Sequence, residues 1–249
     1  MEEYLLMSQA TRYYAGKRYG KAIGAYREMA KKYPEKAPAA LYKIANVLEL
    51  AKYKQSKIIS AYREVIEKYP DSEEAGKSLS VLKRYQLGGR KVQQSFYNEI
   101  IDKYPDNKIA EKALDGLEET SSDKTLLYQE IIKKYPDKSI AGIALGKMLV
   151  GIQKQQGAES IQKLCLEYLV KYPDSKIQIA AYKYMVSYAH QQNNLQPMMD
   201  LSYALIKDFT DNRLTEVVTS TLADIQYQKG NYSESLRLRT RMEKRKNEK

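Results

Sequence analysis

One histidine, His190, and one cysteine, Cys165, are all that this 249-residue chain offers of the side chains that most often carry nucleophilic or metal chemistry. A Ser-His-Asp relay, a Cys-His pair or a zinc site needs partners at matching positions, and none can be built on a single imidazole with no companion ligands. His190 stands at the end of a helical pattern, before Gln191-Gln192-Asn193-Asn194, and reads as a surface helix-end residue. Cys165 reads as a small core hydrophobe, and as a lone cysteine it makes no intramolecular disulfide. Gly88-Gly89 marks a turn and lacks the lysine and hydroxyl residue of a phosphate loop. Carboxylates are plentiful, but most sit at spacings that suit ion pairs or helix caps rather than acid–base work. These residues point away from an enzyme, and they imply no cofactor, metal or small-molecule substrate.

The elements that position every other residue are set by a repeated tripeptide. Lys-Tyr-Pro recurs at Lys32-Tyr33-Pro34, Lys68-Tyr69-Pro70, Lys103-Tyr104-Pro105, Lys134-Tyr135-Pro136 and Lys171-Tyr172-Pro173, with prolines 36, 35, 31 and 37 residues apart. A worn sixth copy is Asp208-Phe209-Thr210. A period in this range belongs to an array of small units. Counting back eight from each proline gives Tyr26, Tyr62, Tyr97, Tyr128 and Cys165; five back gives Met29, Val65, Ile100, Ile131 and Tyr168. Four back stands Ala30, Ile66, Ile101, Ile132 or Leu169, and one back always Tyr. Steps of three, one and three place these side chains on one helical face, which predicts a buried stripe.

The opposite face also repeats. Glu28, Glu64, Glu99, Glu130 and Glu167 each precede a joint lysine by four residues, the favourable order for a surface pair. Proline ends the helix and biases the tyrosine before it towards extended backbone. Asp71, Asp106, Asp137 and Asp174 follow, with Glu35 in the first copy; an Asp at this place can cap the next helix, and Asp71 and Glu74 have capping-box spacing. The following helix shows small and aliphatic residues at three-four spacing, as in Leu41, Ile44, Ala45 and Leu48, and in Ala110, Ala113, Leu114 and Leu117. Each unit is therefore read as two antiparallel helices, and seven pairs are counted: 2–34, 35–70, 71–105, 106–136, 137–173, 174–210 and 211–247. The short fourth unit, with its Glu118-Glu119-Thr120-Ser121-Ser122-Asp123 turn, is expected to bend the array locally.

These features resemble the tetratricopeptide repeat family. The last unit carries Leu222-Ala223 and then Gly230-Asn231-Tyr232-Ser233-Glu234-Ser235, similar to the family's Gly-x-Tyr-x-x-Ala turn with Ser235 for alanine. Gly16-Lys17-Arg18-Tyr19-Gly20-Lys21-Ala22-Ile23 is similar with one extra residue, whereas the middle units lack this glycine. The resemblance implies an all-α solenoid, a right-handed superhelix of about seven helix pairs, over 1–249 as a single domain with a basic C-terminal tail from about 239. That tail, from Arg239, is charged enough to fray or extend, and Arg237, Arg241, Lys244, Arg245 and Lys246 make it the densest basic cluster.

The Tyr-Pro-Asp-Ser joints, Tyr69 to Ser72 and Tyr172 to Ser175, look like the repeats of bacterial envelope proteins such as outer-membrane assembly lipoproteins and periplasmic coordinators of cell-wall machinery. Because an amphipathic segment follows Met1 directly, the natural sequence is expected to have been trimmed there, with a periplasmic or envelope-associated location; the alternative is the cytoplasm. No run of about 18 apolar residues is present for a membrane span.

The family's first helices line a groove that binds peptides or partner proteins. By matching helical position, the candidates here are Tyr42, Asn46, Lys77, Lys112, Lys147, Tyr184 and Tyr188, some of which also suit packing against the next unit. The family's clamp for a C-terminal double carboxylate is not expected, since Lys43 and Asn46 lack companions in register. A net charge of +11 favours an acidic protein or peptide partner. The expected function is a non-catalytic scaffold or adaptor assisting assembly of an envelope complex. The alternative is an RNA-binding helical repeat, which is disfavoured because no base-facing polar position recurs.

Overall fold

Each Tyr-Pro joint closes as a hydrogen-bonded turn. The tyrosine N–H completes the preceding helix, donating to the carbonyl four residues back: Tyr33 to Met29 at 2.9 Å, Tyr69 to Val65 at 3.0 Å, Tyr135 to Ile131 at 3.0 Å. Its own carbonyl then accepts from the residue three ahead: Lys36 at 2.9 Å, Ser72 at 3.0 Å, Asn107 at 3.1 Å, Lys138 at 2.9 Å. Proline takes the second position of that turn, where its fixed φ is already correct. One tripeptide thus ends a helix and sets the entry to the next.

A computed structural model of the chain describes residues 2–85, 89–156, 158–208 and 213–247. The Leu87-Gly88 end of the glycine turn and the Phe209-Thr210 part of the worn joint lie outside the described residues. Among the described residues the chain is all-α, with neighbouring helices packed in series as a repeat solenoid. It divides into two compact units, Met1–Ser122 and Asp123–Lys249. In the first, α1 (Glu2–Ala15) pairs with α2 (Tyr19–Lys32) and α3 (Ala37–Leu50) with α4 (Gln55–Lys68); α5 (Glu73–Tyr85) packs on α4, and α6 (Gly89–Lys103) follows with α7 (Lys108–Thr120) packed on it. In the second, α8 (Lys124–Lys134) leads to α9 (Ser139–Gln156) and α10 (Ala158–Lys171), then α11 (Lys176–Gln191) with α12 (Gln196–Asp208), and α13 (Arg213–Gln228) with α14 (Tyr232–Asn247). First helices also pack on first helices, α3 on α5 and α5 on α7 in one unit, α9 on α11 and α11 on α13 in the other.

The stripe expected from the spacing is buried. Tyr26, Tyr62, Tyr97, Tyr128 and Cys165 are all core residues, as are Val65, Ile66, Ile100, Ile101, Ile131 and Ile132, while the joint tyrosines are half-buried. In the sixth pair the aromatic has changed helix: Ser202 fills the tyrosine slot of α12, and Tyr182 of α11 reaches it at 2.7 Å. Since the Ser202 hydroxyl donates to the Met198 carbonyl at 2.5 Å, Tyr182 is the donor to Ser202. Burial pushes the Tyr182 phenol up to about 12.

Two features differ from the sequence expectation. Asp71 does not cap α5. Ser72 does, its Oγ accepting from the Ala75 N–H at 3.1 Å, and Asp71 instead accepts from the Lys108 N–H at 2.9 Å and from Asn107 Nδ2 at 2.7 Å. The carboxylate caps the first helix of the next repeat, because the joint turn points it along the array while the shorter serine stays over its own helix. Those donors, the Lys108 amide foremost, hold the Asp71 carboxyl below the usual range. Second, the Glu–Lys surface pairs form at Lys32–Glu28 (3.2 Å), Lys68–Glu64 (2.6 Å) and Lys171–Glu167 (3.7 Å), but the third copy exchanges partners: Glu99 meets Arg63 at 3.3 Å and Lys103 reaches Glu67 at 3.7 Å. The seventh pair ends with α14 at Asn247, and Arg239 of that helix pairs with Asp224 at 2.7 Å.

The turns inside the pairs are more uniform than their sequences. Gly230 has a left-handed φ of 81°, and the Asn231 N–H bonds the Gln226 carbonyl at 2.9 Å. Lys17, Lys52 and Asn193 occupy the same left-handed position with φ of 54°, 54° and 51°, and the residue after each makes the same bond. A side chain at such a φ costs more than glycine does. Lys52→Gly is therefore expected to raise stability by about 0.5 kcal/mol, net of glycine's greater entropy when unfolded, measured by urea denaturation; a loss of stability would contradict this reading of the turn.

Candidate functional site

The first-helix face of the first unit carries four of the seven candidates. Tyr42 and Asn46 lie on α3, Lys77 on α5 and Lys112 on α7, and these three helices pack side by side. Lys77 pairs with Glu73 at 2.9 Å, which raises the pKa of the ammonium, with a further upward contribution from the Tyr42 phenol. Glu73 in turn is held low by Lys77 first and then by the field of Lys112. The alkyl stem of Lys112 passes over Gly76, in space that a side chain there would occupy. Tyr42, Lys77 and Lys112 therefore form one connected row across three successive repeats, with both lysines exposed and Tyr42 half-buried.

Asn46 is engaged inside the unit. Tyr62, fully buried, lies 2.6 Å from Glu49 Oε2 and 2.7 Å from the Asn46 amide oxygen. One phenolic proton cannot serve both acceptors. The charged carboxylate is the stronger, so the Asn46 amide is assigned the turned orientation, with Nδ2 donating to the Tyr62 oxygen. Tyr85 donates to the other Glu49 oxygen at 2.6 Å, and Arg84 stands 3.5 Å away. Burial alone would raise the Glu49 pKa; the Tyr62 and Tyr85 donors, with Arg84, outweigh it and leave it lowered. The Tyr62 phenol is driven up by burial first and by Glu49 second. The Tyr42 ring packs against Tyr62, centroids 5.8 Å apart and planes at 59°. Nothing in the notion of a ligand anchor signals this network; the glutamate one helical turn past Asn46 and the recurring core tyrosine are the residues that could have.

The other three candidates belong to the second unit. Tyr184 on α11 donates to Gln153 Oε1 of α9 at 3.2 Å. Its pKa is raised by burial, with smaller contributions from Cys165 and Tyr188. Tyr188 is half-buried beside it, and Lys147 on α9 is half-buried and already engaged. Cys165, fully buried, has a thiol pushed up to about 12 by desolvation, so thiolate chemistry at neutral pH is suppressed. His190 is exposed at the end of α11. Among the described residues no helix is long and apolar enough to cross a membrane.

Residues 39–72, which span α3, α4 and the Pro70 joint, match the family model of the tetratricopeptide repeat. The match covers one repeat of the array, and repeats of that kind generally mediate protein–protein interaction. No curated protein matches the sequence.

Proposed function

We propose that this chain is a non-catalytic scaffold that holds a segment of another protein on the first-helix faces of its repeats. The observation that carries the reading is the connected row Tyr42–Lys77–Lys112, an aromatic surface continued by two exposed cations over three successive helices. An aromatic anchor beside lysines suits an acidic segment. Tyr184, Tyr188 and Lys147 are the corresponding contacts of the second unit, and 1–249 acts as one solenoid domain. The repeat match supports the interaction role, and the single, fully buried cysteine and lone exposed histidine agree with a role other than catalysis.

The finer reading is a scaffold for assembly of a bacterial envelope complex, working in the periplasm. Its support is the pair of Tyr-Pro-Asp-Ser joints, Tyr69 to Ser72 and Tyr172 to Ser175. Affinity capture from native cells, followed by mass spectrometry, tests both levels. The reading expects a specific protein partner recovered at low salt and weakened as ionic strength shortens the screening length to about 8 Å at 0.15 M. Recovery of RNA in its place overturns the scaffold; a cytoplasmic partner overturns the envelope assignment alone.

A further inference from the structure

The second-helix side of the first unit carries a groove of a different kind. It has a volume of about 520 Å³ and runs between α2 and α4, over a floor of Leu41, Ile44 and Leu48 from α3. Arg27 and Lys31 stand on one rim, Lys57 and Lys68 on the other, and Glu64 is the one carboxylate lining it. Lys68 takes that carboxylate at 2.6 Å. Arg27 and Lys31 have no carboxylate partner among the described residues, although they are exposed and stand four apart on α2, where like charges repel.

The next repeat shows what an arginine at this place receives. The groove between α4 and α6, about 540 Å³, is its equivalent one repeat on: Arg63 corresponds to Arg27, each seven before its proline, and Phe96 and Glu99 correspond to Ala61 and Glu64. There the Arg63 guanidinium stacks on the Phe96 ring at 4.8 Å and pairs with Glu99 at 3.3 Å. In the first groove Ala61 offers no ring, and Glu64 is occupied. The charge also differs: Lys57 lines the first groove where Val92 lines the second, and Lys31 stands where the next repeat has Glu67, while Lys91 is the cation that lines the second groove beside Arg63. The two grooves are nearly equal in volume, so the difference lies in what answers the arginine.

We propose that the groove between α2 and α4 is a docking site for an acidic protein segment that presents an aromatic side chain beside a carboxylate, the pair that Phe96 and Glu99 supply to Arg63 one repeat on. The aromatic ring covers Ala61 and the apolar floor, stacking on Arg27; the carboxylate answers Arg27 and Lys31. Two cations without a carboxylate partner among the described residues, Arg27 and Lys31, together with Lys57, which is held only by the Tyr53 ring at 4.7 Å, select an acidic segment over a neutral one. None of Tyr42, Lys77 and Lys112 lines this groove, so the site does not depend on that row.

The test uses a helix-stabilised acidic peptide with one Phe and one Glu three residues later, titrated into the full chain by fluorescence anisotropy. Saturable binding is expected, weakened about tenfold by Arg27→Gln and by peptide variants lacking either the Phe or the Glu, and unchanged by Arg63→Gln. Ala61→Phe supplies the ring internally; it is expected to keep or raise the melting temperature and to abolish peptide binding. Substitutions in the Tyr42–Lys77–Lys112 row are expected to leave the affinity unchanged, which separates this site from the proposed scaffold face. No saturable binding, or binding undiminished by Arg27→Gln, overturns the proposal. So does single-stranded RNA that displaces the peptide with higher affinity through the same arginine. An Ala61→Phe chain that fails to fold shows that the groove does not accept an aromatic and also counts against it.

Discussion

Tyr62→Ala is expected to lower the unfolding free energy by about 3–5 kcal/mol, the range for removing a large aromatic from a closed core. Tyr62 is fully buried in the repeat defined by α3 and α4, packs on Tyr42, and donates to Glu49. Tyr62→Phe keeps the ring and removes only the hydroxyl, so its expected loss is smaller, about 1.5–3 kcal/mol for a hydrogen bond to a charged acceptor. Urea denaturation of the two variants separates packing from polarity; equal losses would show that the hydroxyl dominates and contradict this account. The network also has a pH signature. The Glu49 pKa is lowered in the folded chain, so its contribution is present above the unfolded carboxylate range, near pH ~4.3, and is lost as pH falls through the lower folded value. Tyr62→Phe, which removes one of the donors holding that pKa down, is expected to flatten this acid limb.

Gly116→Ala is expected to destabilise the first unit by about 1–2 kcal/mol even though alanine is the better helix former. Gly116 lies within α7, and a Cβ there would overlap the ring of Tyr97 from α6. Tyr97 is itself a core residue, so the ring has little room to yield. Overpacking of this kind costs about 1–3 kcal/mol, against a gain of about 1 kcal/mol in helix propensity. Gly76→Ala provides the contrast. Its Cβ would meet only the stem of Lys112, which is exposed and can swing aside, so the propensity gain is expected to show. Thermal melts of the two variants should move in opposite directions; a stabilised Gly116→Ala would mean that α6 and α7 pack less closely than described.

The joints were legible because their chemistry is local. Proline, the preceding tyrosine and the three-one-three spacing act within one helix and one turn, and the structure places them as the spacing requires. What was not legible depends on the neighbouring repeat. Asp71 has ideal spacing to cap its own helix, yet the fold brings the Lys108 N–H to it from 37 residues away. Glu99 has ideal spacing to Lys103, yet Arg63 reaches it from α4. Lys52 and Asn193 take a backbone position expected of glycine because the hydrogen bonds around them outweigh the local cost. The same holds for the candidate site. Matching helical position places Tyr42, Lys77 and Lys112 in one row, whereas Asn46, at an equally suitable position, is drawn into a hydrogen bond with a tyrosine of the second helix. Sequence spacing defines faces; which side chains on a face stay available is decided by the partner helix.

The row Tyr42–Lys77–Lys112 is tested most directly by measuring the affinity of a captured partner for the parent chain and for the triple variant Tyr42→Ala, Lys77→Gln, Lys112→Gln. Each substituted side chain is at least partly exposed, so the fold should survive, as circular dichroism can verify. The account predicts a loss of at least about tenfold in affinity for a natively folded variant, with a weaker salt dependence than the parent. A folded triple variant that binds its partner with the parent affinity and the parent salt dependence would contradict it.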